Sequence, residues 1–112
     1  MSVQYSISLP DPSKARGNDL DLSFTANGAD EFAAQLQQAL RTTSLFERWR
    51  DRQSDPDDVN PEMGATDPAA TVTGEQADLR INLVAITSIP GEIFKQRMRL
   101  LAGNHWELRN VR

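Results

Sequence analysis

Residues 53–77 divide the sequence into two parts, neither of which carries enough apolar surface for a core of its own. Proline, glycine and acidic side chains dominate this segment, and its large apolar residues are Val59, Met63 and Val72. Such a stretch buries too little surface to offset about 1–2 kcal/mol per residue of backbone ordering. We therefore predict a disordered acidic internal loop at 53–77, inside one domain that spans residues 1–112.

The part before this segment predicts two strands followed by two helices. Residues 3–9 and 20–26 alternate apolar and polar side chains, which is typical of strands with one buried face. A helical stripe follows at Phe32, Leu36 and Leu40. Ser44 and Glu47 have the spacing of a capping box, which predicts a second helix over about 45–52.

The part after the segment predicts a strand, a helix and a last strand. Residues 79–86 begin with alternation and end apolar on both faces, as a central strand does. Pro90 suits the first turn of a helix, and Gly103 suits its end. The inner stripe of this helix is Ile93, Phe94, Met98 and Leu101. Residues 104–111 alternate again and predict the final strand.

The predicted order is β-β-α-α-(disordered loop)-β-α-β. Nearly every strand has one apolar and one polar face. The apolar face of the sheet must therefore be buried against other elements, whereas the polar face can be exposed to water. The economical arrangement is an α+β fold: a two-layer sandwich in which a four-stranded sheet carries its helices on one face.

Composition narrows the classes of function. The chain of 112 residues has a formal net charge of −4 and no cysteine, so it offers neither a disulfide framework nor a thiolate metal site. It has no apolar run near the 18 or so residues of a membrane span, and its first residues lack the pattern of a signal peptide. We expect a soluble, acidic, cytoplasmic protein with no membrane partner.

Catalytic chemistry finds little support in the sequence. His105 is the only histidine, and no nucleophile elbow, phosphate-binding loop or zinc-protease motif occurs. Asp55 and Asp57 match the first two ligands of an EF-hand, but Val59 then replaces the next oxygen ligand. We predict no catalytic site, no cofactor, no metal and no enzyme. An enzyme that uses an unrecognised carboxylate pair, for example Asp21 with Glu107, is the weakest of three alternatives.

The charges are unevenly distributed along the chain. Residues 1–78 carry 14 acidic and 6 basic side chains, whereas residues 79–112 carry 2 acidic and 6 basic ones. This basic C-terminal third supports an alternative function, nucleic-acid binding, through Arg80, Lys95, Arg97 and Arg99. The predicted open face of the sheet, however, offers no aromatic ring other than His105 for base stacking. Nucleic acid is therefore not the expected partner.

The leading hypothesis is a small non-enzymatic protein–protein interaction module, an adaptor or subunit that binds another protein or itself. Tryptophan and arginine are favoured at interface hot spots. The candidates for this binding are Trp49, Arg48, Arg52 and Arg109. The final strand, if it lies at an edge of the sheet, could also recruit a strand from a partner.

Overall fold

Four antiparallel strands form one sheet in the structure, a computed structural model that describes residues 2–112. The strands are β1 (Val3–Leu9), β2 (Thr71–Ala77), β3 (Arg80–Thr87) and β4 (Glu107–Val111). Their order across the sheet is β2-β3-β1-β4, and every neighbouring pair is antiparallel. Strands β1 and β3 are therefore central, and β2 and β4 are the edges.

Within residues 2–112 the α-helices are α1 (Ala29–Arg41), α2 (Ser44–Asp51) and α3 (Gly91–Ala102). Short 3₁₀ turns lie in the connections between β1 and α1 and between α2 and β2. Strands β3 and β4 run parallel with β1 between them, and α3 connects them. Strands β1 and β2 run parallel with β3 between them, and α1 and α2 connect them. This arrangement is the split βαβ motif used twice, with α2 as an added helix.

The core lies between the helices and one face of the sheet. The ring of Tyr5 stacks on that of Phe94 with centroids 4.1 Å apart, and Phe24 meets Phe32 edge to face at 4.9 Å. The predicted stripes of both long helices are buried, namely Phe32, Leu36 and Leu40 of α1 and Ile93, Phe94, Met98 and Leu101 of α3. The prediction of an α+β fold with a four-stranded sheet and helices on one face is confirmed.

The predicted second strand at residues 20–26 is wrong. Leu22, Phe24 and Ala26 are buried, as the alternation indicates, but the backbone joins no strand. The Phe24 N–H donates instead to the Leu101 carbonyl at the end of α3, at 2.9 Å. Alternation reports which side chains are buried, and an extended loop laid over the helices produces the same pattern as a strand.

The prediction of a disordered loop is wrong for the C-terminal part of residues 53–77. Residues 71–77 form β2, which pairs with β3 along its whole length. Its apolar content is low because it is an edge strand, and Val72 is its one buried side chain. The start of α1 covers it closely: a Cβ on Gly74 would lie 2.3 Å from the Ala29 carbonyl oxygen. Glycine is required at this approach.

The residues that lead into β2 are also held by specific contacts. The Asp67 N–H donates to the Leu40 carbonyl at the end of α1. Its carboxylate accepts from the Ser88 N–H and from the Thr87 hydroxyl, each at 2.9 Å. The hydrogen bond from Ser88 in particular lowers the pKa of Asp67. The side chain thereby ties this connection to the junction between β3 and α3.

Candidate interaction surface

Residues 18–22 form a tight turn that lies over helix α2. The Leu22 N–H donates to the Asp19 carbonyl at 3.0 Å, and the Asp21 N–H donates to the Asp19 carboxylate at 3.0 Å. Leu20 occupies the tip between the two aspartates and is 77% exposed. Leu22 is buried, so the turn is attached to the core on one side while it presents Leu20 on the other.

Two arginines of the α2 surface hold this turn in place. Arg52, which directly follows the helix, is ion-paired through one guanidinium nitrogen with Asp19 and through the other with Asp21, the latter at 2.7 Å. Arg48, one helical turn earlier, donates to the Asp21 carbonyl at 2.7 Å. A planar guanidinium suits such a two-point contact. Both sides of Leu20 are thus fixed to α2.

Trp49 lies beside this clamp and is half-buried. Its ring packs on Phe46 with centroids 5.9 Å apart, and it lines a cavity of about 190 Å³ together with Asp19, Arg52 and Arg99. Trp49 therefore closes the edge of the core while part of its ring faces this cavity. Arg99, on the last turn of α3, adds a positive charge to the wall.

A second groove, of about 250 Å³, lies between the same turn and helices α1 and α2. Its apolar lining includes Leu20, Ala39 and Leu45, and its polar lining includes Gln35 and Arg48. We call the combination of the 18–22 turn, its two arginines and Trp49 the Leu20 surface. It has an exposed apolar tip, charged side chains around the tip, and a concave groove beside it.

The structure brings together three of the four predicted protein-binding residues. Trp49, Arg48 and Arg52 belong to the Leu20 surface, whereas Arg109 lies on the opposite side of the molecule, on the open face of the sheet. Leu20 itself was predicted as an inward strand residue, and that prediction is wrong. The signal in the sequence was Asp-Leu-Asp at residues 19–21 together with two arginines four residues apart, one on the later helix α2 and one directly after it.

The residues predicted for nucleic-acid binding do not share one surface. Arg80 lies on the open face of the sheet, whereas Lys95 and Arg99 are exposed one turn apart on α3, where Arg99 also borders the Trp49 cavity. Arg97 is only 1% exposed, so its inclusion in a surface patch is wrong. Its position in the helix, four residues after Ile93 and three after Phe94, is on the buried face.

The buried guanidinium of Arg97 binds three backbone carbonyls. It donates to Ala39 near the end of α1 at 3.1 Å, to Met63 at 2.9 Å and to Ala65 at 2.7 Å. Burial lowers the pKa of Arg97. The negative end of the α1 dipole and the carbonyl oxygens compensate its charge, so this side chain fastens residues 63–65 to both long helices.

The two carboxylates suggested as a catalytic pair, Asp21 and Glu107, have separate arginine partners. Asp21 pairs with Arg52, whereas Glu107 pairs with Arg109 at 3.2 Å on the open face of the sheet, so the suggested pair of carboxylates is not formed. Within residues 2–112, no group of three or more histidine, aspartate or glutamate side chains could hold a metal ion. No helix in the same residues has the length and apolarity to span a membrane.

The chain was compared with protein-family models, curated proteins and solved structures. No protein-family model matches the chain, and no significant match was found among the curated proteins or the solved structures.

Proposed function

We propose that this chain is a non-enzymatic protein-binding module that engages its partner through the Leu20 surface. One observation carries the proposal: Leu20 is 77% exposed although the turn that bears it is fixed on both sides by Arg48 and Arg52. A single exposed leucine is common on protein surfaces. A leucine presented by a clamped turn beside a half-buried tryptophan is a preorganised anchor.

Preorganisation matters because binding must offset the ordering of the groups that make contact. Ordering one flexible side chain at an interface costs about 0.5–1.5 kcal/mol, and a loop costs more. Arg48 and Arg52 are already ordered by their contacts with the turn, so this cost is reduced before the partner arrives. Burying Leu20 in a partner pocket then contributes about 1.5–3 kcal/mol, which is roughly 10- to 140-fold in affinity.

The expected partner has an apolar pocket for Leu20 and polar groups around it. Arg48, Arg52 and Arg99 would lie at the rim of such an interface, where they favour carboxylates and carbonyls and affect the association rate more than the affinity. Trp49 would supply flat apolar area next to the pocket. The partner is either a different protein or a second copy of this chain, in keeping with an adaptor or subunit.

Nucleic-acid binding is less well supported. Arg97 is buried and Arg80 lies on the open face of the sheet, so only Lys95 and Arg99, one turn apart on α3, are neighbours. A polyanion needs neighbouring positive charges along one path. The four residues that suggested this function therefore do not form one interface.

Site-specific photo-crosslinking in the native host tests the proposal. A photoreactive residue at position 20 is expected to yield a discrete crosslinked species, which mass spectrometry identifies as a partner or a second copy. Leu79 provides a matched control, because it is 87% exposed in the turn between β2 and β3 and has no arginine clamp. Equal crosslinking at positions 20 and 79, or none at 20, would contradict the proposal.

The Leu20→Ser and Leu79→Ser variants extend this test to affinity. With the crosslinked partner in hand, Leu20→Ser is expected to weaken binding by at least tenfold, while Leu79→Ser leaves it within about twofold. Both side chains are exposed, so neither change should alter the stability of the fold by more than about 0.5 kcal/mol. An unchanged affinity for Leu20→Ser would remove Leu20 as the anchor.

A further inference from the structure

A groove of about 370 Å³ crosses the open face of the sheet, on the side opposite the helices. Ser6 and Asn82 lie along its floor, and Arg80 of β3 and Arg109 of β4 line it as well. The two arginines come from strands on either side of β1. The groove is independent of the Leu20 surface.

Both guanidinium groups have donors to spare. Among residues 2–112, the guanidinium of Arg80 makes one hydrogen bond, from Nη1 to the Ser8 hydroxyl at 3.3 Å. Within the same residues Arg109 makes one ion pair, from Nη1 to Glu107 at 3.2 Å, and its side chain is 59% exposed. Since a guanidinium carries five N–H donors, each arginine can still bind a carboxylate with two parallel hydrogen bonds.

A β-bulge places Arg109 at the groove. The pairing of β1 with β4 shifts register between Ser6, which faces Asn110, and Ile7, which faces Leu108. Arg109 is therefore the extra residue of β4, and its side chain lines the open face together with Ser6. Bulges are enriched next to functional sites because they redirect a side chain.

The edges of the sheet are poorly suited to strand addition. Strand β4 is short and carries the bulge and two charged side chains, which are features that oppose pairing. On β2, the Val72 N–H is already bonded to the Gln37 side chain at 3.0 Å, and the start of α1 covers Gly74. A ligand on this side of the molecule would therefore lie on the face of the sheet.

The charges of the face select the class of ligand. The pairing aligns Glu75, Asn82, Ser8 and Glu107 in one row across the four strands, so a carboxylate stands at each end of the row. These carboxylates repel a continuous polyanion such as RNA, and the row has no aromatic ring for base stacking. A short segment with one or two carboxylates brings fewer like charges to this face, and the carboxylate nearest to Arg109, that of Glu107, is already paired with it at 3.2 Å.

We propose that this groove binds an acidic peptide segment of a partner protein, with aspartate or glutamate side chains held by Arg80 and Arg109. The Ser6 hydroxyl and the Asn82 amide supply hydrogen bonds to the peptide. Two arginines at one groove recognise two carboxylates, so the preferred segment carries at least two acidic side chains.

Chemical-shift mapping of the ¹⁵N-labelled chain with a five-residue peptide that carries two glutamates between glycines, called the glutamate peptide, tests this proposal. The amides of Ser6, Asn82 and Val84 are expected to shift with saturation, while the same peptide with glutamine at both positions leaves them unchanged. An oligouridylate should bind more weakly than the glutamate peptide. Absence of shifts on the open face at millimolar peptide, or tighter binding of the oligouridylate to this face, would overturn the proposal.

Paired variants give the matched control. Arg80→Gln with Arg109→Gln is expected to weaken the glutamate peptide by at least tenfold. Lys14→Gln with Lys95→Gln removes the same charge from exposed positions outside the groove and should weaken it by less than threefold, mainly at low salt. Equal loss in the two pairs would show non-specific charge attraction and contradict a built site. All four positions are exposed, and retained ¹⁵N dispersion establishes that each variant is folded.

Discussion

Replacing Arg97 by methionine is expected to destabilise the fold by about 2–3 kcal/mol. Methionine is shorter but keeps an unbranched apolar chain and has no donor, so the change deletes the guanidinium and retains most of the packing of the aliphatic stem. The carbonyls of Ala39, Met63 and Ala65 then lose a charged donor. The test is informative because sequence reasoning assigned this arginine to a nucleic-acid surface.

The magnitude follows from the burial of the three acceptors. Ala39 is a buried residue, so its carbonyl regains little water and contributes about 1–3 kcal/mol. Met63 and Ala65 are half-buried and regain water as residues 63–65 loosen, which limits each to about 0.5–1 kcal/mol. Part of this loss is returned, because the guanidinium no longer has to be desolvated.

Urea unfolding and thermal melting measure the effect. For a domain of this size the loss corresponds to a decrease in Tm of about 8–12 °C. Hydrogen exchange should accelerate first at residues 63–65, while α3 keeps its protection. Lys95→Met on the exposed side of α3 is the matched control, with an expected change below about 0.5 kcal/mol. A loss below that same limit for Arg97→Met would refute the assigned role of the guanidinium.

Three further changes test the fold. Gly74→Ala places a Cβ 2.3 Å from a backbone oxygen of α1, so it should detach β2 and lower the free energy of unfolding by at least about 2 kcal/mol; an unchanged urea midpoint would contradict the position of β2. Gly103→Ala should cost about 1–2 kcal/mol in the same assay, because Gly103 has φ +62° and alanine is strained there; a neutral result would exclude that backbone conformation. Asp67→Asn tests linkage: since the hydrogen bond from Ser88 lowers the pKa of Asp67, its contribution is full above about pH 4 and is lost as the pH falls through the folded-state pKa. Acid titrations of stability should therefore show a shallower decline below pH 4 for the variant, and identical slopes would contradict this contribution.

The periodicity of apolar residues correctly predicted which side chains are buried. Strand β1 and the inner faces of α1 and α3 were predicted correctly, because their apolar side chains recur with the period of the element. The same period marked the buried residues of 20–26, where the backbone bonds to α3 rather than to a strand. Pairing depends on which neighbours occupy the sheet, and the places beside β1 belong to β3 and β4.

Strand β2 was not predicted from the sequence because residues 71–77 contain few apolar side chains. An edge strand covered by one helix needs few apolar residues, so Val72 and the small Gly74 suffice there. The contacts of Arg97 likewise depend on tertiary structure, although its inward position could be read from the spacing to Ile93 and Phe94. Whether a helical residue is buried is predicted better by its position in the apolar stripe than by the charge of its side chain.

The candidate site was predictable only in part. Trp49 and the two arginines of α2 were selected for their residue types, and they do lie together. Their association with the turn that presents Leu20 joins residues about 30 positions apart, which sequence spacing does not reveal. Arg109 was selected for the same reason, yet the fold places it on the opposite side of the molecule.

The most direct test of the Leu20 surface is the backbone order of the turn in the unbound protein. ¹⁵N relaxation gives an order parameter for Leu20, and the account predicts about 0.85 in the native chain, as in rigid backbone. In the Arg48→Gln, Arg52→Gln double variant the value should fall below about 0.6, because the clamp is lost. A value already below about 0.6 in the native chain would contradict a preorganised anchor.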